Sequence, residues 1–105
     1  MERFHRATDF MDKTFLENPS LRELAEKVFM APNYFHKTFR ETFGITPFDY
    51  MLNKRMNLAR ELLAFSPLTV KEIALKSGYK DEFHFSKTFK KHTGLSPKAF
   101  RNKIP

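Results

Sequence analysis

The sequence predicts an all-α fold: about seven helices, forming two subdomains of helix, turn and helix joined by a long linker helix. Three observations predict it. Apolar residues recur at steps of three and four along nearly the whole chain, the spacing of one helix face. Alternation with period two is nowhere sustained, so no strands are expected. The stretch KTFRETFGITP, beginning at Lys37, returns as KTFKKHTGLSP at Lys87.

Each element can be justified in order. Phe4, Ala7, Met11 and Phe15 make the inner face of a first helix, which Asn18-Pro19 breaks. Ser20 caps a second helix carrying Leu21, Leu24, Ala25 and Val28. Pro32 suits a first helical turn, where its missing N–H is not needed. The helix it opens, about 32–43, buries Phe35, Phe39 and Phe43 and stops at Gly44. Thr46-Pro47 is a cap followed by a first-turn proline, opening the long helix of Met51, Leu52, Met56, Ala59, Leu62 and Leu63. Ser66-Pro67 ends it. Thr69 caps the next helix, with Val70, Ile73 and Ala74 facing inward as far as Gly78. Asp81 caps another, about 82–93, which buries Phe85 and Phe89 and closes at Gly94. Ser96-Pro97 begins a last short helix with Phe100.

The repeat organises these elements. Tyr34 to Tyr50 aligns without a gap on His84 to Phe100, at an offset of fifty. Upstream, Leu21, Leu24 and Ala25 align on Val70, Ile73 and Ala74 at an offset of forty-nine. The one-residue slip falls in the turn, which absorbs an insertion that a helix interior would not. The expected organisation is a first subdomain over 1–46, a linker helix over 47–65 and a second subdomain over 66–105.

Composition bounds the chemistry. The chain has 105 residues and no cysteine, which excludes disulfides, thiolate nucleophiles and cysteine-based zinc sites. No apolar run approaches the roughly 20 residues of a membrane span, and the N-terminus has no apolar segment of a secretory signal. A cytoplasmic location is therefore expected. No membrane partner and no cofactor is implied. The four histidines lack metal-motif spacing, and nothing pairs a nucleophile with a base, so no metal site and no enzyme is expected. The net charge is +7. Residues 1–50 carry seven Lys/Arg and eight Asp/Glu, whereas residues 51–105 carry twelve and four. Such a basic half favours a polyanion, either nucleic acid or an anionic membrane.

Two short helices joined by a tight turn describe a helix-turn-helix, whose second helix enters the major groove while the first braces it. Small Ala25 and Ala74 allow close helix approach, and the Phe35/Phe39 and Phe85/Phe89 pairs anchor each second helix by its inner face. Polar and basic residues fill the outer faces: Asn33, His36, Lys37 and Arg40, then Glu82, Ser86, Lys87 and Lys90. The helix between them, residues 47–64, is a rod of about 27 Å. Successive major-groove faces lie about 34–36 Å apart, so the rod and part of each unit can set two recognition helices one turn apart. Because the outer faces differ, the DNA site should be asymmetric.

The stretch IALKSGYKDEFHFSKTFKKHTGLSPKAFR at 73–101 resembles the DNA-binding domain of the AraC/XylS family of bacterial transcription regulators, as do 24–51 and RMNLARELL at 55–63. The resemblance spans roughly residues 4–102. It implies two helix-turn-helix units gripping adjacent major grooves of double-stranded DNA at promoters. RNA polymerase would be a further partner, and an effector or receiver domain would lie N-terminal in the full-length protein. It carries base-reading positions onto Asn33, His36 and Lys37 and onto Glu82, Phe83, Ser86 and Lys87. Lys37 and Lys87 suit guanine O6/N7, though lysine lacks the rigid fork that arginine brings there. Glu82 can accept from cytosine N4 or simply favour the helix dipole. Expected phosphate contacts are Arg40, Thr46, Lys54, Lys90, Lys91 and Ser96, with Thr46 and Ser96 also helix caps. Arg55 can pair with an acid or brace the units. Some DNA alkyl-repair proteins carry such a domain, but their chemistry needs a cysteine acceptor. A non-specific architectural DNA binder is the rival reading.

Two departures from the family pattern fall in the first unit. Ala31 stands where a capping Ser or Thr is usual, and Phe29 stands where a small residue, like Gly78 in the second unit, is usual. A bulky residue with φ > 0 would be strained there. With the missing charge, these departures predict a softer, weaker-binding first unit.

Overall fold

A computed structural model describes residues 2–103, with side chains from Phe4 onward. Among the described residues there are seven α-helices and no strand: α1 (Glu2–Thr14), α2 (Leu21–Lys27), α3 (Pro32–Phe43), α4 (Pro47–Phe65), α5 (Val70–Lys76), α6 (Glu82–Thr93) and α7 (Pro97–Lys103). The first helix departs from its sequence pattern at one end. It stops at Thr14, and Phe15–Glu17 forms a 3-10 turn. Asn18 adopts the left-handed conformation at φ 54°, and Pro19 cannot extend the helix, so the last turn tightens.

Helix starts follow side-chain chemistry. Ser20 and Thr69 each form a reciprocal capping box: their hydroxyls accept from the amides of Glu23 and Glu72, both at 3.1 Å. The amides of Ser20 and Thr69 donate back to the Glu23 and Glu72 carboxylates, at 3.1 and 3.0 Å. These hydrogen bonds from Thr69 hold the Glu72 carboxyl below its ordinary range. Asp81 accepts from the Phe83 amide at 2.7 Å. Ala31 begins α3 with no side-chain cap.

The chain divides into two compact units, residues 1–54 and 55–105, with the division inside α4. In the first unit α1, α2, α3 and the start of α4 bury Ala7, Met11, Leu24, Ala25, Val28, Phe35, Phe39 and Met51. Phe4 lies across Phe35, Phe39 and Phe43, with ring centroids 6.4, 6.2 and 5.8 Å away. In the second unit the end of α4, with α5, α6 and α7, buries Met56, Ala59, Leu63, Ile73, Ala74, Tyr79, Phe85 and Phe89. The phenylalanines at 35, 39, 85 and 89 have no exposed surface, and each such burial stabilises by about 1.5–3 kcal/mol. Phe43 is only half-buried.

The repeat extends to burial. Residues 31–50 and 81–100 share the same sequence of buried, half-buried and exposed positions throughout. The slip between the copies lies in the turns: α2 and α5 are both seven residues long and α3 and α6 both twelve, while the turns span 28–31 and 77–81.

Candidate nucleic-acid interface

Each unit presents its second helix through the same turn. After α2, the Met30 amide donates to the Ala25 carbonyl at 3.0 Å and the Phe29 amide to Glu26 at 3.3 Å. After α5, Tyr79 donates to Ala74 at 2.9 Å and Gly78 to Leu75 at 3.2 Å. Both are Schellman caps, which require a left-handed residue at their centre. Gly78 fills that position at φ 91°, and Phe29 fills it at φ 58° with 84% of its surface exposed.

Buried Phe35/Phe39 and Phe85/Phe89 then fix which way each second helix turns. On α3, Asn33, Lys37 and Arg40 are exposed and His36 is half-buried. On α6, Phe83, Lys87, Lys90 and Lys91 are exposed, and Glu82 and Ser86 are half-buried. The structure thus gathers each expected base-reading set onto one helix. Thr46 and Ser96 are half-buried, and their hydroxyls accept from the amides of Asp49 at 3.0 Å and Ala99 at 3.1 Å. His84 is exposed and packs edge-on against Tyr79, with centroids 5.4 Å apart.

Lys54 has a different setting. Its amine lies 3.0 Å from the Asp12 carboxylate and 5.5 Å from the centre of the Tyr50 ring. The Tyr50 hydroxyl donates to the same carboxylate at 2.8 Å. Burial first, and then Asp12, push the Tyr50 phenol up to about 12. These contacts tie the start of α4 to α1.

Four supporting residues lie outside the sequence-derived site. Arg55, expected to pair with an acid or brace the units, is buried inside the second unit with the Tyr79 hydroxyl as partner. Thr88 also partners that hydroxyl. Burial lowers the pKa of Arg55 and raises that of Tyr79, and their contact opposes both shifts. Arg101 donates to the carbonyls of Leu63 and Ser66, both at 3.1 Å, supplying cationic donors where the end of α4 leaves carbonyls unpaired. The only advance signal for Tyr79 and Arg101 was their place in the 73–101 stretch.

Charge divides as the units do. Residues 1–54 carry eight Lys/Arg and eight Asp/Glu, and residues 55–105 carry eleven and four. Among the described residues no cluster of His, Cys, Asp or Glu is placed to hold a metal ion. No helix there is long and apolar enough to cross a membrane.

Comparison with known proteins decides the family. The helix-turn-helix domain family matches residues 24–103. The chain belongs to the AraC/XylS family of helix-turn-helix transcription regulators, as a DNA-binding domain. Its fold is similar to the C-terminal domain of AraT, a response regulator of Geobacillus stearothermophilus: TM-score 0.91 and 31% identity, over 98% of this chain and 86% of that one. It is also similar to the DNA-binding domain of AdpA, a global transcriptional factor solved with a target DNA: TM-score 0.84 and 25% identity, over 92% of this chain and 87% of that one. In sequence it is 29% identical to the lactose operon transcription activator of Staphylococcus xylosus, over 96% of this chain and 36% of that protein. The chain spans less than half the length of the curated relatives it matches.

Proposed function

We propose that this AraC/XylS-type domain reads an asymmetric promoter site by inserting α3 and α6 into adjacent major-groove segments of duplex DNA. The observation that carries the reading is one burial pattern made twice with different outward residues. Asn33, His36 and Lys37 face out in the first unit, and Phe83, Ser86 and Lys87 in the second, with Glu82 at the first position of α6. A shared scaffold under different reading groups is what an asymmetric site demands. That a related domain, AdpA, was solved with a target DNA supports the same reading.

Base contacts are assigned to Asn33, His36, Lys37, Glu82, Phe83, Ser86 and Lys87. Phosphate contacts are assigned to Arg40, Lys90 and Lys91, with the helix starts at Thr46 and Ser96 offering backbone amides. Lys54 contributes least, because Asp12 already neutralises it. The role is non-enzymatic: binding places a regulator, and through it RNA polymerase, at a promoter. A regulatory domain on the N-terminal side of the full protein would supply the signal.

In vitro selection from random duplexes, followed by footprinting, tests this reading. The expected result is one enriched asymmetric sequence with two protected major-groove segments one helical turn apart. Uniform binding to competitor DNA would instead favour an architectural binder, the rival that the net charge of +7 allows.

A further inference from the structure

Phe83 is the anomaly of the second recognition helix. It is the second residue of α6 and is 78% exposed. The core of its unit does not use it: Phe85 and Phe89, on the opposite face, are fully buried. Its place is well defined, since the Asp81 carboxylate accepts from its amide at 2.7 Å. Steps of four and three along the helix put Lys87 and Lys90 on the same face, and both are exposed. A large apolar group therefore stands in a cationic stripe. In the first unit the equivalent position is Asn33, a polar group, on a backbone with the same pattern of burial.

A cationic helix face fits the phosphate-lined major groove, but an apolar side chain within it needs an apolar counterpart. The major-groove edges of the bases offer one: the methyl on C5 of a pyrimidine, present in thymine and in 5-methylcytosine. Tyrosine or tryptophan would bring a hydrogen-bonding tip, whereas phenylalanine brings none. We infer that Phe83 is a specificity-determining residue that recognises a pyrimidine C5-methyl in the DNA segment bound by α6. The inference rests on the proposed groove insertion and deepens it: the first unit reads with an amide at this position and the second with a hydrocarbon.

The test uses the 105-residue chain and the duplex it selects from random sequence. Each thymine in the segment protected by the second unit is replaced singly by deoxyuridine, which removes only the methyl. Replacement at one thymine should weaken binding by about 3- to 10-fold, the value of one buried methyl-sized group. The same base pair rebuilt with cytosine or 5-methylcytosine separates the two methyl sources: 5-methylcytosine should recover part of the affinity and cytosine should not. Phe83→Ala should bind the thymine and deoxyuridine duplexes equally, and Phe83→Leu should keep part of the difference. An enriched site in which no thymine is sensitive, or a Phe83→Ala protein that keeps the full discrimination, would overturn the inference alone. Failure to enrich any sequence would overturn it together with the promoter-reading proposal.

Discussion

Phe29 holds a left-handed backbone at φ 58° while 84% exposed, so neither conformational preference nor burial accounts for the side chain. Its counterpart Gly78 occupies the same turn without a Cβ. Left-handed geometry costs an L-residue about 1–2 kcal/mol, and glycine's extra unfolded-state freedom offsets about 0.5–1 kcal/mol of any relief. Phe29→Gly should therefore stabilise the chain by about 0.5–1 kcal/mol, read as a higher urea midpoint with an unchanged slope. A lower midpoint would mean that the exposed ring contributes packing. Tyr50 offers a test of electrostatics on the same scale. Its folded pKa of about 12 stands above the ordinary 10.0, so the folded state keeps its proton longer than the unfolded chain does. The associated stability is complete below pH 10 and is lost as pH rises towards 12. Asp12→Asn keeps an acceptor but removes the anion, and it frees the Lys54 amine beside the ring. Tyr50 should then ionise at lower pH, with the part due to burial remaining. Tyrosinate absorbance across an alkaline titration of both proteins reads this directly, and superimposable curves would contradict it.

Among helix starts in the recognition motifs, α3 is the one made without a side-chain acceptor. Ser20, Thr69 and Asp81 cap α2, α5 and α6, and Ala31 gives α3 only an extended backbone ahead of Pro32. Ala31→Ser should supply that acceptor and stabilise by about 0.5–1 kcal/mol, measured by thermal unfolding. No gain would indicate that the Pro32 turn holds the amides out of reach. The caps and helix faces were legible in the sequence because they are local: a capping box needs residues three apart, and a buried stripe needs steps of three and four. The missing cap at Ala31 and the left-handed turn at Phe29 were legible as departures from the pattern of the family the chain resembles, the second also by contrast with Gly78. The end of α1 was less so, because the 3-10 turn at 15–17 keeps Phe15 packed against the core and preserves the helical spacing. The contacts that pin α4 were not legible. Asp12 to Tyr50 and Arg101 to Leu63 each join residues 38 apart, and no periodicity encodes such pairings. Arg55 illustrates the limit: its pattern position was clear, but nothing local announced the Tyr79 hydroxyl as a partner. The residues proposed to read DNA on α3 and α6 were legible as outward faces, since the buried phenylalanines fix those faces by exclusion.

At the scale of the whole molecule, matched folds carry unmatched charge. The two units share their burial pattern over 31–50 and 81–100, yet residues 1–54 balance eight bases against eight acids and residues 55–105 carry eleven against four. Attraction to a polyanion scales with charge and not with fold, so the second unit should supply most of the electrostatic affinity. Two double variants isolate this difference: Lys37→Ala with Arg40→Ala, and Lys87→Ala with Lys90→Ala. All four side chains are exposed, so both proteins should fold. What should differ is the affinity lost at a fixed salt concentration. The second pair acts within a field of like charges that concentrates the duplex locally, whereas the first pair belongs to a unit whose bases and acids balance. The Lys87/Lys90 variant should therefore lose more affinity than the Lys37/Arg40 variant in titrations at matched salt, with the gap narrowing as salt screens the field. Equal losses at every salt concentration would show that both units grip the duplex with the same strength, and that the charge of the second unit serves something other than this binding.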